Sequence, residues 1–122
     1  MAWNLNSDRP IFIQIVERIE LDIISGKYKP GDKLPSVRDL AAEAAVNPNT
    51  MQKAFTELER TGLVFSQRTT GRFITEDTSM IDELKSTLAK DKITELLSFM
   101  QQLGFQENEI LAMIGQTMKG EK

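Results

Sequence analysis

The feature that most constrains this chain is a pair of helix signals joined by a very short link, between Ser36 and Arg60. Asn47 has the short polar side chain of a helix cap, and Pro48 occupies the first helical position, where its missing N–H costs nothing. Gly62 marks the end of the run. These signals predict a helix of about four turns that begins at Asn47 or Pro48.

The predicted helix has two different faces. Four apolar residues recur on one of them with helical spacing, whereas the opposite face is polar. The apolar residues are Met51, Ala54, Phe55 and Leu58, and the polar residues are Asn49, Gln52, Lys53 and Thr56. We therefore expect one face to be buried and the other to present hydrogen-bonding side chains to a partner.

A shorter helix is predicted just upstream. Ser36 followed by Asp39 resembles a capping box, and a small apolar face follows it. This face consists of Val37, Leu40, Ala41 and Ala44. Only Ala45 and Val46 then separate the two helices, which is the pattern of a helix-turn-helix whose second helix enters a DNA major groove. A helical hairpin without a ligand is the alternative.

The segments after this helix predict a β-hairpin. Residues 63–67 and 72–75 are β-prone, and a polar turn separates them. Gly71 lets the backbone approach a ligand closely, while Arg68 and Arg72 can lie along phosphates or enter a minor groove. The hairpin would form the wing of a winged helix. For each arginine alone, a solvated surface position is the alternative.

Apolar residues at helical spacing also occur near the amino terminus. They are Ile11, Phe12, Ile15, Val16, Ile19 and Ile23. The pattern predicts a helix capped by Ser7 or Asp8 and opened by Pro10, and we interpret it as core without a binding role. Trp3 can pack against this helix or against a partner subunit, and the sequence leaves both possibilities open.

Beyond residue 75 the sequence predicts two more helices. Hydroxyl and carboxylate side chains at residues 76–79 suit a helix start, Gly104 is a stop, and the last helix begins near Gln106. An apolar stripe follows both helices, and we predict that it forms a dimer interface because two helices of this size cannot cover it. The predicted interface residues are Leu84, Leu88, Leu96, Leu97, Met100, Leu103, Ile110 and Ile114. Packing against the chain's own winged helix is the alternative.

The composition excludes several classes of chemistry. The chain contains no cysteine and no histidine, which removes disulfides, thiolate and imidazole ligands and the usual proton shuttle at neutral pH. We interpret the carboxylates at residues 76–83 as features of a helix start, and we expect no metal, no cofactor and no enzymatic activity. No apolar run approaches the ~20 residues that span a bilayer, so we expect a cytoplasmic protein without a membrane partner.

The net charge of −3 is unusual for a protein that binds nucleic acid. The charges are unevenly distributed, however. Residues 1–75 hold ten Lys or Arg against nine Asp or Glu, whereas residues 76–122 hold five against nine. Affinity for DNA would therefore depend on a few placed cations rather than on a general basic field.

Longer stretches of sequence resemble a known family. Residues 26–41, followed by 46–51 and 54–59, look like the amino-terminal domain of GntR-family bacterial transcription regulators. The resemblance covers about residues 10–75, and the short tail is similar to the YtrA-type branch of the family. It implies a mainly α fold with a small β-hairpin wing: a winged helix-turn-helix over residues 1–75 and a two-helix dimerisation segment over residues 76–122.

The residue pattern and the resemblance together predict a set of DNA-binding residues. They are Ser36, Arg38, Asn47, Asn49, Thr50, Gln52, Lys53, Arg68, Gly71 and Arg72. The amides of Asn49 and Gln52 suit adenine, whereas Lys53 and Arg38 suit phosphates. Family members commonly carry a second wing glycine where this chain has Thr69 or Thr70, so backbone contact is a safer expectation than deep entry into a minor groove.

The resemblance implies a homodimeric repressor that binds a palindromic operator in double-stranded DNA and controls transporter genes. A winged helix that binds proteins or acts as a scaffold, without a DNA target, is the alternative. A ligand-sensing regulator is a third possibility, but two tail helices can hardly enclose the usual cavity of ~300 Å³ or more. Any small-molecule effector would therefore bind between subunits.

Overall fold

The computed structural model of the protein describes residues 3–120, and this part of the chain contains five α-helices and one β-hairpin. The elements in chain order are α1 (Ile11–Ile24), α2 (Val37–Ala44), α3 (Pro48–Arg60), β1 (Val64–Gln67), β2 (Gly71–Ile74), α4 (Thr78–Gln102) and α5 (Glu107–Met118). The chain divides into two compact units, of which the first ends at Glu83 and the second begins at Leu84. The predicted class, mainly α with a small hairpin wing, is confirmed.

Helix α3 begins where its sequence signals predict. Pro48 is its first residue, and the Asn47 side chain accepts a hydrogen bond from the Asn49 backbone N–H at 2.7 Å. The apolar face is buried as expected and lies at the centre of the first unit, where α3 contacts both α1 and α2. Its buried residues are Met51, Ala54, Phe55 and Leu58.

The turn between α2 and α3 contains an unusual backbone conformation. Ser36 caps α2, since its hydroxyl oxygen accepts a hydrogen bond from the Asp39 N–H at 3.0 Å. At the other end of α2, Ala45 has a φ of 60°, in the left-handed region. This conformation costs a residue with a Cβ roughly 1–2 kcal/mol. The chain adopts it because only three residues, 45–47, connect the two helices and change the direction of the chain.

The start of α1 differs from the prediction. Pro10 precedes the helix instead of opening it, and neither Ser7 nor Asp8 caps the first turn. Gln14, inside the helix, instead binds the segment that leads into α1. Its buried amide accepts a hydrogen bond from the Asn6 N–H at 2.7 Å and donates one to the Asn6 carbonyl at 2.8 Å. The incoming chain is therefore held by a buried side chain and not by a terminal cap.

The wing consists of β1, β2 and the turn between them. The strands pair antiparallel with Gln67 opposite Gly71, so the turn is made by residues 68–70 and Gly71 belongs to a strand. Lys33 forms an isolated bridge with Phe73 on the other side of β2. The segment that leads into α2 is thereby joined to the wing, and the position of the wing is fixed relative to the helix-turn-helix.

Trp3 packs within the first unit. Its side chain is 8% exposed, and the indole Nε1–H donates a hydrogen bond to the Glu43 carboxylate at 3.0 Å. The Arg18 guanidinium lies over the ring, 4.8 Å from the centroid. Of the two positions that the sequence leaves open for Trp3, the structure thus shows the one inside the chain.

The tail helices begin and end at the predicted signals. At the start of α4, the Asp77 carboxylate accepts a hydrogen bond from the Met80 N–H at 3.2 Å. The helix ends before Gly104, which has a φ of 96°. Gln106 and Glu109 form a capping box at α5. Within residues 3–120, none of the helices combines the length and apolar content that a membrane span requires.

Candidate nucleic-acid interface

A groove of about 590 Å³ lies between α2, α3 and the wing. Six of the predicted DNA-binding residues line it together: Ser36, Arg38, Gln52, Arg68, Gly71 and Arg72. Four cationic side chains border the groove, since Lys33 joins the three arginines, and Asp39 is the one carboxylate among the lining residues. Positive charge is therefore concentrated at this place, although the whole chain has a net charge of −3.

The other predicted residues lie at the amino-terminal end of α3, outside the groove. Asn47, Asn49 and Lys53 are exposed, whereas Thr50 is half-buried. The Asn47 side-chain oxygen is engaged by the helix cap, so its amide NH₂ is the group left for a ligand. Asn49 and Thr50 keep their polar groups next to the positive end of the helix dipole.

Gln52 lies on α3 at the border of the groove. Its amide Nε2 donates to the Thr56 hydroxyl at 3.3 Å, and that hydroxyl donates to the Gln52 carbonyl at 3.0 Å. The longer contact is a weak hydrogen bond, so the amide can leave Thr56 at low cost. An amide offers a donor and an acceptor side by side, which is the combination that adenine presents in the major groove.

Lys53 points toward α1 in this structure. Its Nζ lies 4.2 Å from the centroid of the Phe12 ring, within cation–π range. Such contacts are worth about 0.5–1 kcal/mol at exposed sites. A phosphate contact by Lys53 would therefore compete with the Phe12 ring, unlike a contact by Arg38 or Arg68.

Arg38 and Arg68 are the cations most available to an anion. Both are exposed, and neither forms an ion pair within the part of the chain that the structure describes. Arg38 follows the Ser36 cap at the start of α2, so the helix dipole adds to its positive charge. Arg68 lies in the wing turn, on the opposite border of the groove.

Lys33 is a groove residue that the sequence analysis missed. A Cβ placed on Gly71 would lie only 2.9 Å from the Lys33 Cε, and Gly71 has a φ of 119°. The backbone conformation favours glycine at this position, and a larger residue would also displace the flexible end of the Lys33 side chain. Lys33 is far from the wing in sequence, and its contact with Gly71 arises only when the wing folds back.

Arg72 lines the groove but has a partner inside the protein. Its Nε donates to one Glu59 carboxylate oxygen at 2.7 Å, and the Ser66 hydroxyl donates to the other oxygen at 2.7 Å. The guanidinium carbon also lies 5.2 Å from the centroid of the Phe55 ring. Burial raises the pKa of Glu59, but the hydrogen bonds from Arg72 and Ser66 outweigh it, and the pKa stays below its usual value. Glu59 is therefore ionised at neutral pH.

The carboxylates do not form a metal site among the described residues. Within residues 3–120, no three Asp or Glu side chains come together in a way that could hold a metal ion.

The predicted DNA-binding residues form two groups. One group borders the groove, and the other lies on the exposed start of α3. Arg72 belongs to the first group but is paired with Glu59.

The predicted dimer residues differ in exposure. Met100 and Ile110 are buried in the single chain, with exposed fractions of 9% and 2%, so they have little area left for a partner. Leu84, Leu88 and Ile114 are half-buried, whereas Leu96, Leu97 and Leu103 are exposed. Further exposed apolar residues of the same unit were outside the predicted set; they are Ile93, Phe99, Leu111, Met113 and Met118.

Residues 13–74 match the family described as "Bacterial regulatory proteins, gntR family". The chain is 41% identical over 97 residues to the HTH-type transcriptional repressor YtrA of Bacillus subtilis (strain 168), which covers 80% of this chain and 70% of that protein. Its fold is similar to that of a GntR family transcriptional regulator from Listeria monocytogenes, with a TM-score of 0.87 and 39% identity over 92% of this chain and 98% of that one.

A structure determined with DNA is also similar. The crystal structure of AraR(DBD) in complex with operator ORX1 matches with a TM-score of 0.53 and 28% identity, over 62% of this chain and 93% of that one. The family match extends from α1 to the end of the wing, which is the region that contains the groove. The chain therefore belongs to the GntR family of bacterial transcription regulators.

Proposed function

We propose that the protein is a repressor that binds a palindromic operator as a homodimer, with α3 and the wing of each subunit on one half-site. The groove carries this proposal, because Lys33, Arg38 and Arg68 border it beside one carboxylate in a chain whose net charge is −3, while the fourth cation, Arg72, is paired with Glu59. A fold that serves only as a scaffold has no need for such a local excess of cations.

The residues in and beside the groove have two different roles in DNA binding. Asn49 and Gln52 read base edges, with Thr50 beside them, because their side chains lie on the exposed face of α3 and can both donate and accept. Arg38 and Arg68 contact phosphates on either side of the groove and fix the register of the helix. Ser36 and Asn47 orient their helices, while the Gly71 backbone allows close approach of the wing.

The homodimer is supported by the surface of the second unit. Six large apolar side chains there are between 43% and 83% exposed, and an apolar surface of this kind marks an association site. They are Ile93, Leu96, Phe99, Leu103, Leu111 and Met118. A second copy of the chain can cover them and also supply a second α3. Two linked half-sites bind more tightly than either half-site alone.

The biological role that we propose is based on the relatives of this chain. The similarity to YtrA, which is named as a repressor, supports repression by this chain, and we extend the proposal to transporter genes. Such a regulator works in the cytoplasm, where bacterial DNA lies, and it needs no catalytic residue. A small-molecule effector, if one acts, binds between subunits.

Footprinting of the gene's own upstream region tests the proposal. We expect a protected segment with two-fold symmetry whose half-site centres lie about 34 Å apart, or a multiple of that distance. Binding should weaken steeply as salt increases, because phosphate contacts release counterions. A folded protein that protects no DNA at low salt would instead support the protein-binding or scaffold alternative.

A further inference from the structure

Arg72 occupies an unusual place in the groove. It borders the surface that we assign to DNA, yet its guanidinium is held by Glu59 at the end of α3. We infer that Glu59 is a positioning residue that keeps Arg72 off the DNA phosphates and so lowers non-specific binding. This inference rests on the proposed DNA-binding function.

The geometry favours a restraint that persists in solution. Glu59 is fixed from two sides, since Arg72 and Ser66 donate to different oxygens of its carboxylate, both at 2.7 Å. The two side chains of the ion pair are only 27% and 30% exposed. Contact with the Phe55 ring holds the guanidinium plane as well. An arginine held by both Glu59 and the Phe55 ring loses more than a fully solvated one when it turns toward a phosphate.

A nearby ion pair provides an internal comparison. Glu57 and Arg60 lie on the same helix, but the Arg60 side chain is 68% exposed and neither residue borders the groove. Solvent-exposed pairs of that kind are worth about 0–1 kcal/mol and exchange easily with water. The Glu59–Arg72 pair differs from it in burial, in its additional partners and in its position at the groove.

The restraint acts on the salt-dependent part of DNA binding. Each phosphate that a cation neutralises adds about 0.9 to the slope of log affinity against log salt, and this contribution does not depend on base sequence. A released Arg72 would strengthen binding to every DNA by this term. Because this term is the same for every sequence, holding Arg72 back leaves the ratio of operator to non-specific affinity unchanged. It lowers the absolute affinity for non-specific DNA, which depends almost entirely on phosphate contacts.

The test measures the salt slope of full-length protein on a random-sequence DNA duplex. For Glu59→Gln we expect a slope steeper than that of the original protein by about 0.9 per subunit, because Arg72 gains a phosphate. Adding Arg72→Gln to this variant should abolish the gain. A merely structural role for Glu59 would not steepen the slope, so a slope that stays unchanged or becomes shallower overturns the inference.

Glu57→Gln is the matched control, because it removes the same charge from the same helix and releases Arg60 away from the groove. It should leave the slope unchanged. An equal steepening with Glu57→Gln would mean that general charge, and not Arg72, causes the effect, and this result would also overturn the inference. If the original protein fails to bind the duplex at any salt, the proposed DNA-binding function itself fails.

A second measurement needs no variant. The NMR signal of the Arg72 Nε–H should report its hydrogen bond to Glu59, and it should stay in place when the random-sequence duplex saturates the original protein. In Glu59→Gln the same signal should shift on addition of the duplex. A shift in the original protein would show that Arg72 already reaches phosphates, and the restraint would be disproved.

Discussion

The two units of the chain differ in how far their apolar side chains are buried. In the first unit α1 and α3 bury the apolar face that they share, and Ile15, Ile19 and Phe55 have no exposed surface, although Ile13 and Leu21 on the other side of α1 are 39% and 57% exposed. In the second unit only Met100 and Ile110 are buried among the described residues, while Phe99 and Leu111 are 57% and 64% exposed. The first unit covers most of its large apolar side chains itself, whereas the second leaves most of its own exposed.

The largest expected effect comes from truncating one phenylalanine in each unit. Phe55→Ala should lower the free energy of unfolding by about 3–5 kcal/mol, because it leaves a cavity in the centre of the first unit. Phe99→Ala removes an exposed ring and should change the free energy of unfolding of a dilute monomer by less than about 0.5 kcal/mol. Urea unfolding at low protein concentration measures both values. Equal losses would contradict the distinction between the two units.

The second prediction separates the units physically. A chain cut after Glu83 should remain folded, because α1, α2, α3 and the wing lie before the cut. It should sediment as a monomer and bind the palindrome at least ~100-fold more weakly than the full chain, since the linked second half-site is lost.

Two results would contradict this prediction. A truncated protein that sediments as a dimer would remove the second unit from the interface. Full-length protein that binds one half-site as tightly as the whole palindrome would show that the second half-site adds no affinity. Phe99→Ala in the full chain serves as the milder control, because it should weaken the dimer without removing any helix.

The elements of both units follow from local signals. Asn47, Ser36 and Gly104 mark helix ends through side chains or backbone conformations that act within a few residues, so a sequence alone reveals them. The helical spacing of apolar residues likewise predicts the buried face of α3. Local rules of this kind are independent of how the elements are arranged in space.

The remaining features depend on contacts between distant parts of the chain. Gln14 holds the segment before α1 because its side-chain amide pairs with the backbone of Asn6, eight residues earlier in the chain. Lys33 borders the groove because the wing brings Gly71 next to it. Neither contact has a sequence signal, since lysine and glutamine are ordinary surface residues. The burial of Met100 and Ile110 was missed because an apolar stripe shows which side chains avoid water but not what covers them.

The third prediction concerns the exposed face of α3. Gln52→Ala should relax base preference at one position of each half-site by about 1–3 kcal/mol, because alanine cannot pair with a base edge. Lys53→Ala should weaken binding to all sequences alike, since a phosphate contact carries no sequence information. Binding to a set of operators with single base changes measures both effects. Unchanged preference in Gln52→Ala would remove Gln52 from base reading.

The smallest expected effect tests whether the first unit sets its own stability. Ala45 has a φ of 60°, where a Cβ costs roughly 1–2 kcal/mol and where glycine is favoured. Glycine also gives the unfolded chain more freedom, which offsets about 0.4–1 kcal/mol of that gain. Ala45→Gly should therefore raise the free energy of unfolding by about 0.5–1 kcal/mol.

Ala42→Gly should instead lower the free energy of unfolding. Ala42 lies on the exposed face of α2 in ordinary helical conformation, where glycine costs about 0.5–1 kcal/mol. Both substitutions lie in the first unit, so each should have the same effect in the full chain and in the chain cut after Glu83. Thermal unfolding of these four variants and of the two unsubstituted chains measures this directly. If Ala45→Gly stabilises only the full chain, the stability of the first unit depends on the second, and the contrast between the two units no longer holds.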